Sequence, residues 1–335
     1  MNVSHKNVNF VVLAGGSGKR LWPLSRSNNP KQFLCIEDKK TLLESTIARI
    51  KSGFYDSNIH VVCAKEHEAK VVQIIKNENI KVFCEPKSCN TAAAMLYSVM
   101  NLNNKSNNLV AFVPSDHHIC DEQKFCDAIA KAFSIAETDE SLVLIGIKPK
   151  YPATNYGYIS YQNDSVTKFH EKPTKEKAEQ YLQQDDILWN SGILIGKASS
   201  FLNAYKSISP EFYNKMKSYF ENNTEYDLPN ISTDYLILEK LQNLKVIKAD
   251  FQWSDLGTLD LFLAAKKIDS KNKIIQIDSK NNIINVQNKL TVLVDVENLC
   301  IVDTGDVLLV TSNQKIQKIN EVVDQLQKSN LKEFC

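Results

Sequence analysis

Long apolar runs are missing from this sequence of 335 residues. The N-terminal segment has no apolar stretch long enough for a signal peptide, and no segment approaches the ~18 apolar residues of a membrane-spanning helix. We therefore expect a soluble, cytoplasmic protein that has no membrane partner.

An excess of charge of one sign is missing as well. The chain has 40 Lys and Arg against 39 Asp and Glu, which gives a net charge of +1. Such a balance provides no broad attraction to nucleic acid. We expect no nucleic-acid partner, and we expect charged ligands to be held by local groups of residues.

Paired cysteines are also lacking, because none of the eight cysteines forms a Cys-x-x-Cys motif. In a reducing compartment this pattern predicts mostly buried thiols. Cys84 and Cys89 leave a metal or redox pair open as an alternative, but no His or Cys has the spacing that would complete a metal site.

One segment near the N-terminus combines an apolar run with a glycine-rich turn. Residues 10–13 are typical of a buried strand, and Gly15-Gly16-Ser17-Gly18 follow almost at once. Glycine leaves backbone N–H groups accessible, so such a loop can surround anionic oxygens. With Lys19, Arg20 and Lys31 adding positive charge, the segment predicts a phosphate-binding loop.

Two common phosphate loops do not fit this segment. A P-loop requires Ser or Thr after its lysine, but Arg20 follows Lys19; the dinucleotide fingerprint requires a third glycine where Leu21 stands. A tight strand-to-helix turn without a ligand is the alternative, although a turn would not require the basic residues together with Trp22-Pro23.

Helices and strands are predicted to alternate between residues 41 and 147. Thr41 and Glu44 have the spacing of a capping box, and the helix that follows has apolar residues on one face. Strands are predicted at 59–63, 81–84, 109–113 and 142–147, and helices at 66–76, 91–101 and 125–137. This order predicts parallel βαβ units of an α/β fold, in which ligands bind beyond the carboxyl ends of the strands.

The second half of the chain has a different pattern. Extended segments are predicted at 156–159, 166–169 and 188–195, and helices after Pro173 and at 199–220. From 274 to 311 short strands such as 290–294 and 307–310 replace helix periodicity, and a closing helix is predicted at 316–327. We interpret the chain as a domain of residues 1–268 and a packed, β-rich appendage of residues 269–335.

An acidic residue follows the predicted strand 109–113, where the ligand crevice is expected. Phosphate transfer requires a hard cation, so Asp116 is a candidate Mg²⁺ ligand. A helix N-cap or a solvated loop aspartate is the alternative. His117 and His118 would point apart in an extended segment, and we interpret them as structural residues.

The run L-A-G-G-S-G-K-R-L-W-P-L-S-R from Leu13, followed by Pro30-Lys31-Gln32, resembles the signature of the mannose-1-phosphate guanylyltransferase family of sugar nucleotidyltransferases. Lys19 stands where that family usually has Thr. The resemblance extends from residue 9 to about 325. It implies a Rossmann-like nucleotidyltransferase domain with a mixed central sheet and a small, β-helix-like C-terminal appendage, in a short form without the isomerase domain of longer relatives.

The resemblance also implies functional residues. Asp255, in Trp253-Ser254-Asp255-Leu256-Gly257, would join Asp116 as a ligand of Mg²⁺. The implied catalytic residues are Arg20, Lys31, Asp116 and Lys172. The implied nucleotide-binding residues are Leu13, Ala14, Gly15, Gly16, Ser17, Gly18, Lys19, Arg20, Glu85, Asn90 and Thr91. Cys89 replaces a family arginine and Ala93 a family proline, so the preference for guanine depends on the overall resemblance.

The implied sugar-binding residues are Gly157, Glu171, Asn190 and Asp234. A glutamate can accept hydrogen bonds from two hydroxyls, and Lys172 would act as a point charge on the sugar phosphate. Asp234 is equally well explained as a helix cap. Tyr156 and Tyr158 match the family but are also explained by packing.

The resemblance implies an enzyme that joins GTP and mannose 1-phosphate into GDP-mannose and pyrophosphate, and we expect a homo-oligomer, a dimer. An enzyme for another sugar 1-phosphate, such as a heptose or glucose phosphate, is the first alternative. A non-catalytic regulatory relative is the second, but such a chain would be expected to lose residues like Arg20, Asp116 and Asp255.

Overall fold

The computed structural model describes residues 8–16, 18–36, 40–76, 79–102, 108–266 and 273–335. The chain forms two compact units, each discontinuous in sequence. The first unit comprises Met1–Gly15, Thr46–Ser115 and Ile119–Trp253, and the second comprises Gly16–Ser45, Asp116–His118 and Ser254–Cys335.

The strands up to residue 254 are β1 Val8–Leu13, β2 Asn58–Ala64, β3 Lys81–Glu85, β4 Leu109–Pro114, β5 His118–Ile119, β6 Leu142–Ile147, β7 Tyr158–Gln162, β8 Ser165–His170, β9 Ile187–Lys197, β10 Leu244–Ala249 and β11 Trp253–Ser254. The helices in this part are α1 Leu42–Gly53, α2 Glu68–Ile74, α3 Asn90–Asn101, α4 Glu122–Thr138, α5 Lys175–Leu182, α6 Ala198–Ile208 and α7 Pro210–Asn222, with a π-helical turn at Asp234–Leu238.

The described residues of the first unit contain a nine-stranded sheet in the order β3-β2-β1-β4-β9-β6-β10-β8-β7. The predicted parallel arrangement is present from β3 to β4 and between β6 and β10. However, β9 lies between β4 and β6 and is antiparallel to both, so the sheet is mixed.

The structure corrects some predicted boundaries. The single helix predicted at 199–220 is two helices, because Pro210 begins α7 and cannot continue α6. The helix predicted at 66–76 starts as the 3₁₀ turn Lys65–His67 and continues as α2. The capping box before α1 is confirmed: the Thr41 N–H donates to Glu44 Oε2 (2.7 Å), and the Glu44 N–H donates to Thr41 Oγ1 (3.1 Å).

The second unit has the remaining strands β12 Lys273–Ile277, β13 Ile283–Asn285, β14 Leu290–Val294, β15 Leu299–Asp303 and β16 Leu308–Ser312, and the helices α8 Leu259–Ala265 and α9 Ile319–Lys328. Strands β12 and β14 are paired in parallel, as are β13 and β15, while β16 is antiparallel to β15. The predicted closing helix begins as the 3₁₀ segment Asn313–Lys318 and becomes α9.

Each unit has its own apolar core. In the first unit, residues from the sheet pack against α3 and α6. In the second unit, Leu21 and Trp22 pack with Leu259, Cys300 and Val323. The segment after the glycine-rich loop is therefore folded together with the C-terminal strands and α9, although more than 200 residues separate them in sequence.

The cysteines, all of which lie among the described residues, are free thiols, and four of the eight are buried. Cys84 lies opposite Cys63 on neighbouring strands rather than pairing with Cys89. In the part of the chain that the structure describes, we find no helix with the length and apolar character needed to cross a membrane.

Candidate active site

The glycine-rich loop enters the second unit with a tightly packed turn. Gly18 has a φ of 59°, and a Cβ at this position would lie 2.7 Å from Lys31 Cβ and 2.8 Å from Lys31 N. Such distances exclude any side chain. Gly18 thus allows the loop to lie directly against Lys31, which explains why the two motifs occur together. Ser17 lies outside the described residues.

This loop forms one wall of a cleft of about 610 Å³, which we call the basic-loop cleft. The described residues that line it are Gly18, Lys19, Arg20, Leu21, Lys31, Asp116, Asp255, Gly257, Asn320 and Asp324. These include three basic and three acidic side chains. The structure therefore brings together the predicted phosphate-loop cations, Lys31 and both predicted metal ligands.

Lys31 links the two predicted metal ligands. Its residue surface is only 7% exposed, and its Nζ donates to Asp116 Oδ2 at 2.8 Å. The same Nζ donates to the backbone carbonyl of Asp255. Burial opposes ionisation of Asp116, but the Lys31 ammonium, helped by His117, holds the pKa of this carboxyl below its usual value. Asp116 therefore carries a negative charge at neutral pH.

The segment around Asp255 fixes its carboxylate by local contacts. The Gly257 N–H donates to Asp255 Oδ1 at 2.9 Å, and a Cβ on Gly257 would lie 2.5 Å from Asp255 Oδ2. A side chain at position 257 would therefore displace the Asp255 carboxylate from this position. One carboxylate oxygen is used to orient the side chain, and the side chain still lines the cleft.

The donor set of the cleft fits a hard divalent cation. Carboxylate oxygens are the ligands that Mg²⁺ prefers, and this ion usually takes only one or two of them together with waters and substrate phosphates. Within the described residues there is no group of three or more His, Cys, Asp or Glu that could enclose a metal. Asp116 and Asp255, beside the three cations of this cleft, therefore fit a metal whose coordination is completed by a phosphate ligand.

Sequence reasoning missed two residues of this cleft, Asn320 and Asp324 of α9. Asp324 Oδ1 lies 3.7 Å from Lys19 Nζ. The sequence does contain one signal for Asp324: Lys19 replaces the family threonine, and an added cation favours an acidic neighbour. However, nothing in the sequence indicates that this neighbour lies 305 residues later.

The remaining predicted loop residues are divided between the units. Leu13 is the last residue of β1, Ala14 and Gly15 follow it in the first unit, and Gly16 lies in the second. The Ala14 N–H donates to the Val62 carbonyl at 2.9 Å, so this amide already has a partner within the sheet.

The predicted sugar-binding residues meet in the first unit, in what we call the Glu171 cluster. It consists of Gly157, Glu171, Lys172, Asn190 and Asp234. Asn190 Nδ2 donates to Asp234 Oδ1 at 2.9 Å, and Lys172 Nζ donates to Glu171 Oε1 at 2.6 Å. A Cβ on Gly157 would lie 2.8 Å from Glu171 Oε2 and 2.8 Å from Phe169 Cζ, so a side chain here would displace one of these two groups.

Burial raises the pKa of both acids in the Glu171 cluster. Burial raises the pKa of Glu171, and the nearby Asp234 raises it further, while Lys172 acts in the opposite direction. Burial also raises the pKa of Asp234. Two acids that repel each other beside one lysine form a polar group with several hydrogen-bond acceptors for hydroxyls.

Tyr156 and Tyr158 are buried, at 5% and 0% exposure, which supports the packing interpretation. Tyr156 contacts the rings of Trp189 and Trp253, and the Tyr158 hydroxyl donates to the Ala153 carbonyl at 2.9 Å.

The predicted base-binding segment also lies in the first unit. Glu85 is only 4% exposed and accepts a hydrogen bond from the Tyr226 hydroxyl at 2.7 Å. Asn90 Nδ2 donates to Asn230 Oδ1 at 3.0 Å, and the Thr233 N–H donates to Thr91 Oγ1 at 2.9 Å. Asn90 and Thr91 are therefore tied to the segment that leads directly into Asp234.

Comparison with known families gives two matches, which follow each other along the sequence. Residues 9–272 match the family description "Nucleotidyl transferase", and residues 272–326 match the description "MannoseP isomerase/GMP-like beta-helix domain". The mixed sheet and the β-rich C-terminal part are thus those of a nucleotidyl transferase with a β-helix-like domain, which confirms the predicted fold class.

Comparison with individual relatives identifies the family more specifically. The sequence is 34% identical over 360 residues to mannose-1-phosphate guanylyltransferase 2 of Escherichia coli O157:H7, covering 97% of this chain and 74% of the relative. It is 32% identical over 345 residues to the alginate biosynthesis protein AlgA of Pseudomonas fluorescens, covering 94% of this chain and 71% of the relative. The chain therefore belongs to the mannose-1-phosphate guanylyltransferase family.

A solved structure supports the same conclusion. The structure is similar to that of a mannose-1-phosphate geranyltransferase from Thermus thermophilus, with a TM-score of 0.86 and 25% identity. The similarity covers 96% of this chain and 99% of that chain.

Proposed function

We propose that the chain joins mannose 1-phosphate and GTP to give GDP-mannose and pyrophosphate. The observation that carries this proposal is the basic-loop cleft, in which Lys31 bonds to both Asp116 and Asp255 beside the basic residues of the loop. The names of the relatives support the choice of GTP and mannose 1-phosphate.

In this reaction a phosphate oxygen of mannose 1-phosphate attacks the α-phosphorus of GTP, and the bond between the α-phosphorus and the bridging oxygen of pyrophosphate breaks. No covalent enzyme intermediate is needed. The rate then depends on positioning the two phosphates and on neutralising the charge that they carry.

The residues of the chain suit these tasks. Arg20, an exposed residue that lines the cleft, suits the phosphates of GTP, and Lys31 is held at a fixed point by its two acceptors. Lys172 suits the phosphate of the sugar, and Glu171, Asn190 and Asp234 offer partners for its hydroxyls.

We propose Mg²⁺ as the cofactor, with Asp116 and Asp255 as its protein ligands. When bound, it would neutralise charge on the phosphate oxygens. Asp116 stays ionised beside Lys31 and is ready to bind a cation, and the contact from Gly257 orients Asp255.

The decisive experiment is a pyrophosphate-release screen that crosses GTP, ATP, UTP and dTTP with several sugar 1-phosphates. We expect the highest kcat/KM for GTP with mannose 1-phosphate. A clear preference for another nucleotide would contradict the proposal. A preference for a heptose or glucose phosphate would favour the related enzyme, and the absence of turnover with every pair would favour a non-catalytic relative.

We further propose that the chain forms a homodimer through β12 and β14. Ile275 and Ile277 lie beside Val292 and Val294, and together with Leu290 they form an exposed apolar strand face; Val292 is 50% and Val294 57% exposed. A two-stranded sheet with an apolar face is seldom stable in water by itself. A second copy presents the same face, which permits a two-fold symmetric contact.

A further inference from the structure

A second cavity lies in the first unit, at the amino-terminal ends of β1, β2 and β3. Its volume is about 340 Å³, which is at the lower end of the range for small-molecule sites. The predicted nucleotide-binding residues Ala14 and Glu85 lie at the opposite, carboxyl ends of β1 and β3. The proposed reaction therefore makes no use of this cavity.

Amides dominate the described lining of this cavity. Five asparagines line it: Asn9, Asn58, Asn79, Asn101 and Asn108. Among the described lining residues no Asp or Glu is present, and Lys81 is the single side chain with a full charge. An amide offers one donor group and one acceptor group, so this composition suits a ligand with several hydroxyls and a negative charge.

Two of the lining side chains are buried and have polar atoms without a partner in the described structure. Asn9 is 5% exposed and His60 6% exposed. His60 Nε2 lies 3.1 Å from Asn9 Oδ1, whereas Asn9 Nδ2 and His60 Nδ1 have no hydrogen-bond partner among the described residues. A buried polar group without a partner is costly, so these atoms favour a ligand that satisfies them.

The protonation of the imidazole determines what chemistry the missing partner must have. Burial and, second to it, the charge of nearby Lys81 lower the pKa of His60 to about 4, so the ring is neutral at pH 7 and has one N–H. Asn9 Oδ1 can only accept, so the N–H is at Nε2 and Nδ1 is an acceptor. Asn9 Nδ2 is a donor. A hydroxyl can donate to His60 Nδ1 and accept from Asn9 Nδ2. A carboxylate can only accept and an ammonium group can only donate, so neither could pair with both atoms.

The cavity also has a rigid apolar side. The His60 and Phe83 rings are stacked with centroids 4.8 Å apart and an interplanar angle of 12°, so the imidazole is held in place. Ile59 and Leu102 add apolar surface to the lining. A sugar ring presents C–H groups as well as hydroxyls, and it can use both kinds of surface.

We propose that this cavity is a binding site for a monosaccharide phosphate, separate from the active site. The sugar hydroxyls pair with Asn9, His60 and the rim asparagines, and the phosphate pairs with Lys81.

The test uses the full chain labelled with ¹³C and ¹⁵N in its histidines, whose imidazole signals are followed by NMR. The His60 signals are assigned by their loss in His60→Gln. The probes are glucose 6-phosphate, mannose 6-phosphate, fructose 6-phosphate and ribose 5-phosphate, each compared with its free sugar and with inorganic phosphate. We expect at least one sugar phosphate to shift the His60 signals saturably, with a Kd below about 1 mM.

Variants of exposed residues at the rim of the cavity separate recognition of the phosphate from recognition of the sugar. Lys81→Gln should weaken the sugar phosphate about ten-fold and leave the free sugar unchanged, whereas Asn58→Leu should weaken both. Lys76→Gln, an exposed lysine of the first unit that does not line the cavity, is the matched control. All three should keep the parent Tm.

Three results would overturn the proposal. One is the absence of a saturable His60 shift for every sugar phosphate up to about 10 mM, well above a Kd of 1 mM. Another is an equal shift with inorganic phosphate, which would make the cavity an anion site without sugar recognition. The third is parent-like affinity in both Lys81→Gln and Asn58→Leu.

Discussion

At the scale of single residues, the basic-loop cleft is organised by one buried ammonium. Lys31 donates to the side chain of Asp116 but to the backbone of Asp255. Both aspartates are proposed metal ligands, but only the side chain of Asp116 also stabilises the fold by pairing with Lys31. Replacing each of them by asparagine should separate catalysis from stability.

We predict that Asp116→Asn and Asp255→Asn each lower kcat by at least about 10²–10³-fold, the usual effect of removing one preorganised electrostatic contact. Only Asp116→Asn should lower the free energy of unfolding, by about 2 kcal/mol, because it takes the charged partner from Lys31. Steady-state kinetics at saturating Mg²⁺ and urea denaturation measure the two effects. Asp121→Asn, an acid close in sequence that does not line the cleft, is the control, and near-parental turnover of either variant would contradict the shared-metal assignment.

A second residue-scale prediction concerns Glu85 and pH. Burial raises the pKa of this carboxyl to about 7, and the Tyr226 hydrogen bond offsets only part of the effect. The folded chain therefore keeps a proton that the unfolded chain releases near pH 4.5, the ordinary value. Glu85 should lower the free energy of unfolding progressively between pH 4.5 and 7, by roughly 3 kcal/mol in all, with no further loss above that range.

Glu85→Gln keeps an acceptor for Tyr226 but cannot ionise, so it should remove this pH dependence. Urea denaturation of parent and variant at several pH values provides the measurement. Glu66→Gln, whose side chain is 74% exposed, should retain the parental profile. If the parent and Glu85→Gln had the same pH profile, Glu85 would not be the group that titrates.

At the scale of elements, local signals were reliable and distant pairings were not. The capping box of α1 is formed by residues three apart, and the sequence alone predicted it. The break between α6 and α7 was also local, because Pro210 marks a helix start, but apolar periodicity continues across it and hid the break. The insertion of β9 between β4 and β6 depends on long-range pairing that periodicity does not encode.

The same distinction applies to the candidate site. The loop, the Glu171 cluster and both aspartates were found from motifs, since each motif is contiguous in sequence. Asn320 and Asp324 were missed because α9 has an amphipathic pattern that is typical of packing, and only the folded chain places it at the cleft. The pairing of Lys31 with Asp116 was not predicted either, because these residues are far apart in sequence and only the folded chain brings them together.

For the element α1 we predict that Glu44→Ala lowers the free energy of unfolding by about 1 kcal/mol, because the side chain satisfies the Thr41 N–H and hydroxyl. Glu44→Gln keeps an acceptor and should lose less. Equilibrium urea denaturation compares the two, and equal losses would show that the charge, rather than the hydrogen bond, is responsible.

At the scale of the whole molecule, the second unit combines residues 16–45 with the C-terminal strands. We retain as a proposal that residues 1–268 and 269–335 are the sequence domains. Because Leu21 and Trp22 share a core with Cys300 and Val323, removal of the C-terminal segment should disturb the glycine-rich loop that forms one wall of the basic-loop cleft. The C-terminal segment thus contributes to the core of the second unit. Its exposed apolar strand face, on β12 and β14, is the surface that we propose for the dimer.

We predict that Ile275→Lys combined with Val292→Lys converts the dimer into a monomer, because it places two charges on a cross-strand pair of the apolar strand face. Light scattering gives the mass, and the pyrophosphate-release assay shows whether turnover depends on association. Val72→Lys alters an equally exposed valine of the first unit and should leave the mass unchanged. A parental mass for the double variant would exclude this face as the interface.

The three tryptophans give the chain an optical reporter. Trp189 and Trp253 are neighbours, with ring centroids 6.4 Å apart, whereas Trp22 lies in the second unit, where its Nε1 donates to the Phe334 carbonyl at 2.7 Å and Arg26 lies over its ring. Replacing Trp189 and Trp253 by Phe would leave an emission spectrum that comes from Trp22 alone. The wavelength of that emission would then follow the docking of the last residues beside the glycine-rich loop, in real time and without an added label.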